Sequence, residues 1–443
     1  MQTLYLATHF NPVYWNTAYL IVNSGSIDED ATEQTDYTKL ARAIGEIKNA
    51  GIHMSLVDIN RSGFGFSPDA ENNQILFGLK GLINVNNDLV KDIIDNRPYK
   101  SMLDFMNRVK TNKQAMIALI KGGAFDQFYK NRYEAMVEYI WVTCDKKKRI
   151  TLQNLPGLIR NDLLPQDTEE RILARRIYEF NRYLKAECKD ASNPEFYRLD
   201  DRAVDFINEL SNIVDGFSTI AMIRNMKIKT WDGFYQKWMD VFRDWIKSDT
   251  NGILDALNTK IFMADWKKYG KGNLSSWEME ALCFYYHDHE LKSANKSKYG
   301  LVDFNSLPEE PVVKSLYRGH IPIFELSCIC GTCVAKDKTK HTVFLLTTDG
   351  VVPVKFSGEH FSLFDRQVSR KNPDGTKTVV ERSWFNRGNM VLVQGVRQGD
   401  QFRAKKYATS NIKHQLYHID EVLPNGDLIL RSERYDGDQE EEE

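Results

Sequence analysis

Residues 112–140 read NKQAMIALIKGGAFDQFYKNRYEAMVEYI, and their spacing sets the first piece of architecture. Ala115, Met116, Leu119 and Ile120 recur at helical intervals and stop at Gly122-Gly123. Tyr133, Met136, Val137 and Ile140 then open a second apolar face. Two short helices joined by a tight glycine turn follow from that pattern. Residues 77–109 (FGLKGLINVNNDLVKDIIDNRPYKSMLDFMNRV) repeat the device upstream. There Leu89, Val90, Ile93 and Ile94 form one face, and Met102, Leu103, Phe105, Met106 and Val109 form another. The joint is expected at Asn84-Val85-Asn86, because asparagine tolerates left-handed backbone. Residues 71–145 therefore read as a compact all-helical module.

Working outward, 37–50 (YTKLARAIGEIKNA) is an amphipathic helix with Leu40, Ala43, Ile44 and Ile47 on one face, and Gln74–Phe77 is strand-like. The sequence after Met1 lacks a capping residue and reads as the inside of a helix, so 1–70 is expected to be part of a domain cut through a helix. The run Lys146-Lys147-Lys148-Arg149 marks a boundary and reads as a solvated linker, with a contact to a DNA backbone second. Residues 146–280 read as a helical connector rich in Trp and Tyr, and 281–315 as a linker. From Ile321 the period falls to two: Phe324, Leu326, Cys328 and Cys330 share one face, and Val352, Val354 and Phe356 another. Turn signals recur at Asp349-Gly350, Asp374-Gly375, Gln398-Gly399-Asp400 and Asn425-Gly426. Residues 316–432 thus predict a five- or six-stranded antiparallel barrel or sandwich. The tail 433–443 carries seven acids in eleven residues and is expected to be disordered. The fold class is multidomain α+β, mainly α-helical over the N-terminal two-thirds.

Composition narrows the function classes. Of 443 residues, 42% are hydrophobic, which excludes a mostly disordered chain. No apolar run reaches the length of a membrane span. Six cysteines are too few for a disulfide scaffold, so a reducing, cytoplasmic setting is expected, without a membrane partner. The 59 Lys+Arg nearly balance the 61 Asp+Glu, yet between Lys336 and Lys413 there are 15 of the former and 7 of the latter. That local excess of +8 interleaves with aromatic residues, as single-strand binding requires: charge follows phosphates and rings stack on bases. The candidates are Phe344, Phe356, Arg382, Trp384, Arg387, Arg397, Arg403, Lys405, Lys406 and Tyr407. For duplex DNA the candidates flank the two helical hairpins, where helix N-termini offer N–H groups to phosphate. They are Lys80, Asn84, Val85, Asn86, Arg97, Lys100, Lys113, Lys121, Gly122 and Gly123.

Several stretches together resemble the bacterial replicative DNA polymerase III alpha subunit, a C-family polymerase. QTLYLATHFNP and RAIGEIKNAGIHMSLVDINRSGFGF resemble consecutive segments of its fingers. The two hairpin stretches are similar to its tandem helix-hairpin-helix region. EMEALCFYYHDHEL resembles the helix before its OB-fold, and 316–432 looks like that OB domain. The first hairpin departs from the family, since Asn84 and Asn86 stand where glycines are usual. The resemblance implies that the catalytic aspartates lie in a palm upstream of the fingers, so no catalytic or metal-binding residue is assigned here. Mg2+ is expected in an assembled polymerase, held by a separate N-terminal chain carrying the palm and the first part of the fingers. Duplex and single-stranded template DNA are the other implied partners, and a sliding clamp a further one. The family's clamp-binding peptide has no match near 265–280; Phe361-Ser362-Leu363-Phe364 has its look but sits among strand residues. The gene is expected to be split and bacteriophage-encoded, which places the protein in a host cytoplasm. The alternative is a stand-alone, non-catalytic DNA-binding accessory protein.

Two rival chemistries attach to other motifs. Cys328, Cys330 and Cys333 with His287 or His289 could form a zinc site, although Cys328 and Cys330 continue an apolar face. His287-Asp288-His289-Glu290 could likewise form a hydrolase cluster, with Cys283 and His287 four apart on one helix.

Overall fold

The computed structural model describes residues 9–28, 30, 34–164, 168–371, 377–407 and 415–434. The expectation of a helix cut at residue 1 lies outside the described residues, as do the turn at Asp374-Gly375 and nearly all of the acidic tail. The chain divides into two compact units, one formed by 1–136 with 272–443 and the other by 137–271. The expected bounds of the connector were 146 and 280.

In the first unit the early helices start at a proline or at a side-chain cap that the sequence offers. Helix α1 is Pro12–Ser24, with proline in its first turn. Asp36 accepts from Lys39 N at the start of α2, Tyr37–Asn49. Asn86, Ser101 and Asn112 do the same for α3 (Asn87–Asp95), α4 (Met102–Arg108) and α5 (Lys113–Lys121). Helix α6, Arg132–Thr143, begins in this unit, and its residues from Val137 on are counted with the second. The four helices α3–α6 thus fall on the four apolar faces read from the sequence. A small sheet places Gln74–Leu76 between His53–Met54 and Ser67–Asp69.

The second unit is helical. Its long members are Glu169–Glu187, Ile228–Ser248 and Thr250–Tyr269. Its core is built on rings, among them Phe180, Trp231, Phe234, Phe242 and Trp245. The Trp231 indole donates to Asn181 Oδ1 at 3.1 Å, which satisfies the buried N–H.

Returning to the first unit, α7 (Leu274–Leu282) ends at Cys283, whose φ of 66° breaks the helix. Cys283 and His287 therefore do not share a helix, against the sequence expectation. The C-terminal barrel comprises β1 (Ser327–Asp337), β2 (Thr342–Thr347), β3 (Gly350–Lys355), β4 (Met390–Gln398) and β5 (Gln401–Ala404). It closes in the order β1-β2-β3-β5-β4-β1, with β3 and β5 parallel. Helix α8 (Gly358–Asp365) lies between β3 and β4 in sequence. This closed five-stranded barrel with an intervening helix is consistent with an OB-fold. Strands β6 (Leu416–Val422) and β7 (Leu428–Arg431) extend the sheet from β4. Its interior includes Ile329, Val343, Leu345, Val352, Val354, Phe356, Val391, Val393 and Phe402. The barrel begins later than the period-two pattern suggested. Ile321–Phe324 pairs instead with Val313–Tyr317 in a separate ribbon. Among the described residues, no helix is long and apolar enough to cross a membrane.

Candidate nucleic-acid interface

The first hairpin adopts the turn that its asparagines permit. Asn84 has φ 64°, and Asn86 is extended and accepts from Leu89 N at 3.1 Å. Val85 is buried beneath them while Asn84 and Asn86 stay exposed. Together with Lys80, Asn87 and Lys91 they line a cleft of about 760 Å³, whose other wall includes Asp30, Gln34, Thr35 and Tyr37. Burial lowers the pKa of Lys80, and Lys91 pairs with Asp30 at 2.5 Å. A cation beside the N-terminus of a capped nine-residue helix suits a phosphate oxygen.

The second hairpin does different work. Lys121, expected at the DNA surface, is buried against Glu280, with its ammonium over the Trp277 ring at 5.6 Å. Gly122 and Gly123 are buried too, and Gly123 has φ 91°. A Cβ on Gly123 would lie 2.7 Å from Arg132 Nη2, and one on Gly122 would lie 2.7 Å from Leu82 Cδ2. Arg132 is buried and donates to Lys121 O at 2.9 Å, to Asp126, and to Glu278 Oε1 at 3.2 Å. Glu278 is fully buried; it also accepts from Tyr286 N and His287 N, both at 2.9 Å. The glycine turn is thus the joint that fastens the helical module to α7. Arg97 is likewise internal, donating to Ile59 O at 2.7 Å and Ser62 O at 2.6 Å. Lys100 is exposed and Lys113 half-buried, at the starts of α4 and α5. Gly123→Val is therefore expected to cost about 2–4 kcal/mol of stability through backbone strain and the clash with Arg132. A denaturation curve checks this, and an unchanged midpoint contradicts it.

On the barrel, several expected stacking residues are structural. Phe356 and Trp384 are in the core, and Trp384 Nε1 donates to Glu381 at 2.7 Å. Phe344 packs with Ala41, Met279, Tyr285 and Leu346, because α2 lies across β1, β2 and β3. Arg387 stacks on the Tyr37 ring at 4.6 Å. Arg397 donates to Gly399 O at 3.0 Å and Leu307 O at 2.8 Å. Lys405 sits over Phe324 at 4.6 Å, and Tyr407 OH accepts from Phe324 N at 3.2 Å. Both hold the 313–324 ribbon. Arg382 and Lys406 are exposed and Arg403 is half-buried. Of the ten barrel candidates, these three have no such packing role.

Comparison with known proteins bears on this assembly. A helix-hairpin-helix motif family matches residues 51–135. The probable DNA polymerase YorL of Bacillus subtilis is 38% identical over 98% of the chain. So is the DNA-directed DNA polymerase of Bacillus phage SPbeta. The DNA polymerase III alpha subunit of Thermus aquaticus is 36% identical over 134 residues, 29% of this chain and 10% of its own. The chain is thus similar to part of several DNA polymerases, polymerase III alpha subunits among them. It spans 34% of the length of the Bacillus and phage relatives.

Among the described residues, no group of three or more His, Cys, Asp or Glu side chains converges as a metal site would require. Cys333 points into the barrel core, whereas Cys328 and Cys330 face the cluster of Leu392, Ile419 and Leu428. Burial pushes the Cys328 thiol up to about 11 and those of Cys330 and Cys333 up to about 12. His287 Nδ1 is bound to Glu278 at 2.6 Å. His289 bonds to Leu346 O at 2.8 Å, and burial holds its pKa down at about 4. Phe361 and Phe364, which have the look of a clamp peptide, belong to α8 and the barrel core. Sequence reading missed α2 as the barrel's cover and the Arg132–Glu278 pair, whose members are 146 residues apart.

Proposed function

We propose that this chain is the C-terminal part of a split replicative DNA polymerase. It completes the fingers, holds duplex DNA at the Asn84–Asn86 hairpin and passes single-stranded template to its barrel, in a cytoplasmic setting. DNA synthesis arises only on assembly with a separate chain that brings the palm carboxylates and their Mg2+. The observation that supports the polymerase part of this reading is the 38% identity over 98% of the chain to DNA polymerases.

Helix α1 supports the assembly. It buries Val13, Thr17, Leu20 and Ser24, two of them small and polar, while Tyr14, Trp15, Tyr19 and Val22 face outward. Phe10, just before it, is 64% exposed, and Tyr14 and Val22 are 55% and 56% exposed. A helix with its larger rings outward belongs inside a bigger core. The polymerase portion that the relatives carry beyond this third is the surface that fits it.

Duplex binding tests the hairpin. Lys80→Ala is expected to flatten the dependence of log Kd on log salt by about 0.9, the value of one phosphate contact. Titrations of the full chain across a salt series read the slope. An unchanged slope would remove Lys80 from the interface. Duplex binding by a chain that never alters primer extension would instead favour an accessory protein.

A further inference from the structure

The run Lys146-Lys147-Lys148-Arg149 reads in sequence as a solvated linker, but in the second unit it is fixed in place. The Asn258 side chain, 111 residues away, accepts from Lys147 N at 2.8 Å and donates to Lys147 O at 3.1 Å. Both polar atoms of one amide therefore clamp the run to the helix Thr250–Tyr269. Lys147 itself closes on Asp145 at 2.5 Å. Lys148 and Arg149 are exposed, and the Lys146 ammonium lies 4.2 Å over the Trp141 ring.

Trp141 is the second half of the feature. It is 46% exposed, yet it is held at one edge by Phe262 at 5.8 Å, which stacks in turn on Trp266 at 6.1 Å. Neighbouring Val142 is also exposed. An indole held at one edge by a ring that is itself stacked on another, beside a run whose backbone is clamped, is placed before any ligand arrives. A ring already held in place loses little entropy on binding.

We propose that Trp141, Lys146, Lys148 and Arg149 form a binding site for single-stranded nucleic acid. The indole offers a face to a base, and the cations follow the phosphates on either side. A duplex keeps its bases stacked on one another and would use only the charges, leaving the ring idle. The site stands on the geometry of this unit. It takes only its probe, DNA, from the polymerase reading.

The test uses the full chain, an oligothymidylate and a duplex of equal length, titrated by fluorescence anisotropy over a salt series. Exchanging Lys146, Lys148 and Arg149 for Ala is expected to flatten the single-strand salt slope by about 2. Trp141→Ala is expected to weaken single-strand binding about tenfold at fixed salt, with Trp141→Phe restoring most of it. Duplex affinity should stay within about twofold for Trp141→Ala. An unchanged single-strand slope and affinity would overturn the site. Equal losses for single strand and duplex on Trp141→Ala would overturn the stacking role. Should Trp141→Ala lower the unfolding midpoint, the charge variant carries the test, since Lys148 and Arg149 are exposed. Neither readout involves primer extension, so a failure of polymerase assembly would leave this result standing.

Discussion

Arg132→Met is expected to cost about 3–5 kcal/mol of stability in the unit that holds the hairpins and barrel. The side chain is 3% exposed and serves three partners at once: Asp126, the Lys121 carbonyl and Glu278, whose own side chain has no exposure. Removing the guanidinium strands the Glu278 charge in the interior, facing two backbone N–H groups and His287 alone. The cost comes from the abandoned partner more than from the lost contact, because two well-paired buried charges contribute little net stability. Glu278→Gln, which keeps the shape and lowers the charge, should cost less. Denaturant curves read the loss, and hydrogen exchange at the α5 and α7 amides places it at the joint. A loss below about 1 kcal/mol would mean that the joint is not held by this pair.

The second large effect concerns assembly. Tyr14 and Val22 are two turns apart on the outward face of α1, with Ala18 between them. Tyr14→Asp combined with Val22→Asp is expected to weaken association with the palm-bearing portion by about 100-fold or more. Both positions are exposed in the chain alone, so its own unfolding midpoint should hold. Association is read by titrating one labelled chain with the other. Unchanged affinity would place the interface elsewhere, and a fall in oligomeric order of the isolated chain would show that a second copy covers this face.

Local features were legible in the sequence because local physics decides them. Apolar spacing located α3–α6, and the tolerance of asparagine for positive φ located the Asn84 turn. The barrel was legible from its period of two, but its first strand was not. Phe324 and Cys328 share an alternation that the chain breaks between ribbon and barrel. Site residues were less legible, since charge says nothing about what a side chain faces. Lys121 and Arg97 have the composition of DNA contacts and are consumed by Glu280 and by the Ile59 and Ser62 carbonyls. Phe344 sits on the outer wall of a basic barrel and is covered by α2, nearly three hundred residues earlier. Lys146–Arg149 erred in the opposite direction: a run that reads as linker is clamped by Asn258.

Primer extension with purified components addresses the central claim most directly. The chain would be mixed with a polypeptide corresponding to the other two-thirds of its polymerase relatives, with primed template, deoxynucleotides and Mg2+. Extension is expected from the mixture and from neither component alone, and it should fall with Tyr14→Asp/Val22→Asp. Extension by the palm-bearing polypeptide alone, unaltered when this chain is added, would contradict the account.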